Sequence, residues 1–326
     1  MTVDEKHLVR TARMAAQKND WNTVYRCAHD LIKSNPLNPE GFFLMGMAEK
    51  AARQLAKSID SFEKCLALDE RRFDAGIELA GLYAMAVRND EAIGLLQKYT
   101  GGLKNSPWYL DRAAATYIDL GKPKLAIPLI EAAVKLQPEM PFFQTNLAAA
   151  YVFIGEIEKA KEIYQRLLLN NPNNQRNHFF LSRLDTATDS HHVDQMKAVL
   201  EQEHIPDSKS VFINYALGKE LEDLENWDEA FSFYKKGAGG VKELLNYRIE
   251  QDEALIGKII QSCDEQWYQS KISSTNDQPR GKRPIFMVGL PRTGTTLAER
   301  ILSGHSKIET IGETQFFELV FYLLID

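Results

Sequence analysis

The sequence is poor in cysteine, with three among 326 residues: Cys27, Cys65 and Cys263. They are odd in number, far apart and outside any CxxC spacing. That excludes a disulfide framework and predicts free, buried thiols in a reducing compartment. Excess positive charge is also lacking. A net charge of −6 argues against general nucleic-acid binding, although Arg280-Gly281-Lys282-Arg283 could meet a single phosphate. No apolar run approaches the roughly 18 residues that a membrane span needs. The longest, residues 316–325, is interrupted by Glu318. The first residues, Met1-Thr2-Val3-Asp4-Glu5-Lys6-His7, have no apolar core of the kind a secretory signal requires, so a cytoplasmic location is expected.

What the chain does have is internal repetition. Blocks beginning at Glu5, Pro39, Phe73, Pro107 and Pro141 follow a constant period of 34 residues. The eighth position is small in every block: Ala12, Gly46, Ala80, Ala114, Ala148. The twentieth is Val24, Ser58, Ala92, Ala126, Ala160, and the twenty-fourth is Ala28, Phe62, Leu96, Ile130, Tyr164. Two antiparallel helices can cross closely only where small residues meet. A larger residue at position twenty-four then fills the space between neighbouring pairs. Pro36, Pro138 and Pro172 close three blocks, because proline cannot donate the helix hydrogen bond. Tyr83, Tyr117 and Tyr151 recur at the eleventh position and read as repeat core. The pattern resembles the tetratricopeptide repeat (TPR). That resemblance implies a mostly α fold, a right-handed solenoid whose concave face takes a protein or peptide.

The array is expected over residues 5–244. It degenerates at 175–210, where Asp185-Thr186-Ala187-Thr188-Asp189-Ser190-His191-His192 reads as a polar loop. His191 and His192 with Asp189 and Asp194 suggest a metal only superficially, since adjacent histidines point apart. No metal is expected. The pattern recovers at Val211, with Gly218 at position eight, Ala230 at twenty and Tyr234 at twenty-four. Gly237, Gly239 and Gly240 are expected to end that helix. Residues 245–270 read as capping and connecting helices, and 271–283 as a polar linker.

The chemistry lies further on. Ile285-Phe286-Met287-Val288 is a short apolar run, as expected of a buried parallel strand. Gly289-Leu290-Pro291-Arg292-Thr293-Gly294 follows, and a helix is predicted from Thr295 to about Gly304. Two glycines five apart between strand and helix frame a phosphate-binding loop. Backbone amides at a helix N-terminus make an anion site, Arg292 adds fixed charge, and Thr295 and Thr296 add hydroxyls. Thr295 stands where a nucleotide-hydrolysing loop carries the lysine that reaches the β and γ phosphates.

The run Val-Gly-Leu-Pro-Arg-Thr-Gly-Thr-Thr-Leu, with His305 and Gly312-Glu313-Thr314 beyond it, closely resembles the 5′-phosphosulfate loop of sulfotransferases. These use 3′-phosphoadenosine-5′-phosphosulfate (PAPS). The order of repeats followed by this loop resembles the bacterial TPR–sulfotransferase proteins, with a tyrosylprotein-sulfotransferase-like site. The resemblance implies that residues 284–326 begin an α/β domain with its first strand, P-loop and helix. It implies that Gly289, Pro291, Arg292, Thr293, Gly294, Thr295 and Thr296 bind PAPS. Arg292 would also stabilise the leaving phosphate, and Glu313 would be the general base for a tyrosine or glycan hydroxyl.

One strand makes no sheet, and residues 284–326 are fewer than a domain core needs. The 3′-phosphate and adenine elements of the family do not occur before Asp326. The chain is therefore expected to hold only the first part of a C-terminally truncated transferase and to be weakly active or inactive alone. The alternative is a non-catalytic TPR scaffold with a vestigial transferase stub. His305 reads as structural, and Lys282 and Arg283 as linker charge.

Overall fold

The computed structural model describes residues 2–103, 105–203, 206–245, 247–273, 285–289 and 293–310. These residues form two compact units, with the boundary between Gly237 and Ala238.

The first unit is a row of antiparallel helix pairs. They are α1 (Val3–Gln17) with α2 (Trp21–Ser34), α3 (Pro39–Ala51) with α4 (Leu55–Leu68), and α5 (Phe73–Met85) with α6 (Asn89–Thr100). Then come α7 (Pro107–Asp119) with α8 (Pro123–Leu136) and α9 (Pro141–Phe153) with α10 (Ile157–Asn170), followed by the short α11 (Gln175–Ser182) and by α12 (His191–Glu203). The last pair is α13 (Val211–Asp223) and α14 (Trp227–Leu245). Helix α11 packs on α10 and α13, and α12 packs on α13.

Local chemistry starts these helices. Thr2 and Glu5 form a reciprocal capping box on α1. Asp20, Asn38 and Asn174 accept first-turn amides, and Pro39, Pro107, Pro123 and Pro141 sit at helix starts, where no amide is missed. Pro128 instead lies inside α8.

The register read from the period holds in space. Ala12, Ala80, Ala114 and Ala148 at position eight are fully buried, as are Val24, Ser58, Ala92, Ala126 and Ala160 at position twenty. Gly46 shows why the eighth residue is small. A Cβ there would lie 3.0 Å from the Phe62 ring, and Ser58 Oγ donates to the Gly46 carbonyl at 2.7 Å. Gly218 repeats the arrangement, with the Tyr234 ring 2.7 Å from an added Cβ. At position eleven, Tyr83 donates its hydroxyl to Glu63 of the preceding repeat at 2.6 Å, and Tyr151 to Glu131 at 2.7 Å.

First helices of neighbouring repeats touch (α1 with α3, α5 with α7, α7 with α9), whereas second helices approach one another less. First helices therefore line the inner face of the row.

Three expectations change. His191 and His192 begin helix α12, whose Val193, Met196 and Val199 are buried with Ile213, Ala216 and Leu217 of α13. Gly237, Gly239 and Gly240 do not end a helix, because α14 runs through them. Gly237 is a packing glycine, with the Tyr215 ring 3.1 Å from a Cβ placed there. Cys27 and Cys65 are buried free thiols, but Cys263 is exposed.

In the second unit, α15 (Ile249–Ser262) and α16 (Glu265–Ser273) follow α14, and α17 (Thr295–Ser303) lies further on. The linker expected at 271–283 is helical to Ser273, and its remainder lies outside the described residues. No strand is assigned at 285–289, the stretch expected to supply one. A strand is defined by its ladder, and no strand is assigned among the described residues. No described helix is long and apolar enough to cross a membrane.

Candidate functional site

The loop before α17 is built by its two glycines. Gly294 is the N-cap of α17 and adopts φ +93°, ψ 16°, a left-handed conformation that favours glycine. Its carbonyl accepts the amide of Ala298 at 3.0 Å. The amides of Thr295, Thr296 and Leu297 precede that bond and so have no partner in the helix ladder. Gly289 is crowded instead. A Cβ on it would lie 2.6 Å from Thr293 Oγ1 and 2.9 Å from Thr295 Cγ2. The loop thus folds back on Gly289, and a larger residue would push both threonines away.

Of the residues singled out from the sequence, the structure brings Gly289, Thr293, Gly294, Thr295 and Thr296 to one place. Thr293, Gly294 and Thr296 are exposed and Thr295 is half-buried. Pro291, Arg292 and Glu313 lie outside the described residues, as do Lys282 and Arg283. His305 has a local role, its Nδ1 accepting the Lys307 amide at 3.2 Å. Chemically, the loop offers amides, hydroxyls and the positive end of a helix dipole, which suits an oxyanion.

The inner face of the repeat row is a second candidate surface, and it is laced with charge. Glu40 takes Arg13 and Arg72, each at 2.9 Å, and Arg72 also holds Asp74 at 2.7 Å. Glu78 pairs with Lys50 and with Arg112, the latter at 3.4 Å. Asn146 donates to Asp111 at 2.8 Å. Burial pulls the Lys50 ammonium below the usual lysine range and pushes the Asp111 carboxyl up. Glu78 opposes the first shift and Asn146 the second. These groups stitch α1, α3, α5, α7 and α9 together, so this face is largely self-paired.

A buried polar cluster escaped the sequence reading. His178, 2% exposed, and Glu220, 5% exposed, meet through His192 at the junction of α11, α12 and α13. The only signal in the sequence was the His191-His192 pair, since His178 and Glu220 lie far apart in the chain. Among the described residues no group of three or more His, Cys, Asp or Glu is placed to hold a metal ion.

Comparison with known proteins accords with both parts. A sequence model described as sulfotransferase family matches residues 284–324, and one described as tetratricopeptide repeat matches 117–179. An uncharacterized protein of Aquifex aeolicus (strain VF5) is 29% identical over 171 residues, covering 52% of this chain and 22% of that protein. The beta-barrel assembly-enhancing protease of Escherichia coli (strain K12) is 30% identical over 176 residues, covering 50% and 35%. These matches thus span 22% and 35% of the two relatives' lengths. Among solved structures, a tetratricopeptide repeat protein from Parabacteroides merdae ATCC 43184 aligns with a TM-score of 0.48 at 14% identity, covering 78% of this chain and 98% of its own. Tetratricopeptide repeats and a sulfotransferase-family segment at residues 284–324 are thus what this one polypeptide joins.

Proposed function

We propose that the chain belongs to a PAPS-dependent sulfotransferase, with an acceptor hydroxyl on a peptide tyrosine or a glycan. The carrying observation is a coincidence of sequence and geometry. The sulfotransferase-family match spans the loop in which left-handed Gly294 opens the amide-bearing start of α17. The cradle beside Gly289 has no room for a side chain, and nothing lies within 4 Å of a Cβ placed on Gly294. That arrangement fits a compact anionic group approaching the backbone.

When bound, PAPS supplies the sulfuryl group and a phosphate leaving group. The amides and hydroxyls of Thr293, Thr295 and Thr296 hold the charged end, and Arg292 adds positive charge. Glu313 takes the proton of the attacking hydroxyl. The repeats supply a surface for a protein or peptide partner. The second reading is a non-catalytic TPR scaffold, and the length of the array, α1 to α14, favours it.

Calorimetry with 3′-phosphoadenosine-5′-phosphate on the full chain and on Arg292→Ala separates the two. The transferase reading expects wild-type binding and a loss of roughly tenfold or more in the variant, the scale of a lost charge-assisted contact. Equal binding by both proteins refutes the loop assignment.

A further inference from the structure

The cluster at α11, α12 and α13 has a proton inventory that its geometry settles. His178 Nε2 lies 2.7 Å from the Pro172 carbonyl, which can only accept, so that nitrogen carries a hydrogen. His178 Nδ1 lies 2.8 Å from His192 Nε2. A neutral His178 must accept there, so His192 donates. His192 Nδ1 then faces Glu220 Oε1 at 2.6 Å, with one proton shared between them. Each of the three bonds needs one hydrogen. A fourth, on His178 Nδ1, would set two N–H groups head to head.

We propose that Pro172, His178, His192 and Glu220 form an acid-sensitive latch that holds α12 against α11 and α13. α11 packs chiefly on α10 and α13, and the His178–His192 bond ties it to the start of α12. His192 is the partly exposed member, with a side chain 19% accessible, so protons reach the latch through it. Glu220 Oε2 is buried without a partner among the described residues, so opening also rehydrates a carboxylate oxygen.

The charged groups facing His178 are His192 from α12 and Glu220 from α13. Burial holds the His178 imidazole below the usual histidine range, and His192 adds to this. The Pro172 contact and Glu220 oppose it. Once opened, His178 regains an ordinary value near ~6.5. The open state then binds a proton that the closed state refuses. Closure is therefore favoured most near pH ~6.5. Below it the opened His178 takes up a proton that the closed state refuses, and closure weakens by at most roughly tenfold per pH unit. Above it the proton shared by His192 and Glu220 favours closure less as pH rises.

Hydrogen–deuterium exchange of the full chain at about pH 6.5 and 5.0, corrected for intrinsic exchange, tests this. Peptides across 175–223 should lose up to roughly tenfold protection per pH unit below ~6.5, while peptides in α3 to α8 do not. His178→Gln keeps a donor and an acceptor but does not titrate, so its segment should lose the pH dependence. Unchanged wild-type protection, or the same pH dependence in the variant, overturns the latch. Should the variant fail to fold, nitrogen-15 spectra of the wild-type imidazoles decide. His178 held as the neutral Nε2–H tautomer at pH 6 supports the latch, and ordinary titration near ~6.5 sinks it.

Discussion

Replacing two glycines by alanine should have opposite effects for a reason visible only in the folded backbone. Gly94 lies inside α6, and Gly121 lies between α7 and α8 at φ +69°. At neither would an added Cβ meet any atom within 4 Å. Packing is thereby removed from the comparison, leaving the backbone. Gly94→Ala removes unfolded-chain freedom and improves helix propensity, a gain of about 0.5–1 kcal/mol. Gly121→Ala has the same entropic benefit, but it forces an L-residue into the left-handed region, which costs about 1–2 kcal/mol. The net is a loss of about 0.5–1 kcal/mol, so the two variants should differ by about 1–2 kcal/mol. In urea unfolding followed by circular dichroism, their midpoints should lie roughly 0.5 M or more apart on either side of the wild type. Midpoints shifted in the same direction would refute the argument.

Three further outcomes follow from packing and the loop. Gly76→Ala should cost about 1–3 kcal/mol in the same assay. Its Cβ would sit 2.3 Å from the Tyr99 ring, whose hydroxyl is anchored to the Glu70 carbonyl at 2.9 Å. Among the thiols, exposed Cys263 should react with a chromogenic disulfide at neutral pH while the other two stay silent. Burial pushes the Cys65 thiol up to about 12 and raises Cys27 as well, so neither offers thiolate. Gly289→Ala should abolish calorimetric binding of 3′-phosphoadenosine-5′-phosphate and leave helix content by circular dichroism unchanged, because the crowding it creates is confined to Thr293 and Thr295.

The repeat was legible because its signal is spacing, and spacing survives in a linear string. Small residues at positions eight and twenty meet because two helices of fixed pitch must cross there, and Gly46 against Phe62 is that rule in atoms. The turn between paired helices was not legible. Its fifteenth residue is left-handed in every block, yet it reads Asn19, Arg53, Val87, Gly121 and Gly155. A β-branched valine at φ +62° is a conformation that local preference rejects and that the packed helices on either side impose. The helix through Gly237, Gly239 and Gly240 was misread for the related reason that Gly237 answers to the Tyr215 ring rather than to chain flexibility.

By itself, the sequence determined the period of the array and the glycine frame of the loop at 289–296, because both depend on residue size and backbone freedom at set intervals. Only the tertiary structure could decide what distant residues become to one another. It turned His192, read as part of a polar loop, into the middle link of a hydrogen-bonded chain from Pro172 to Glu220. Hydrogen-bond geometry between three helices has no trace in the order of the residues, since it depends on where packing carries each side chain.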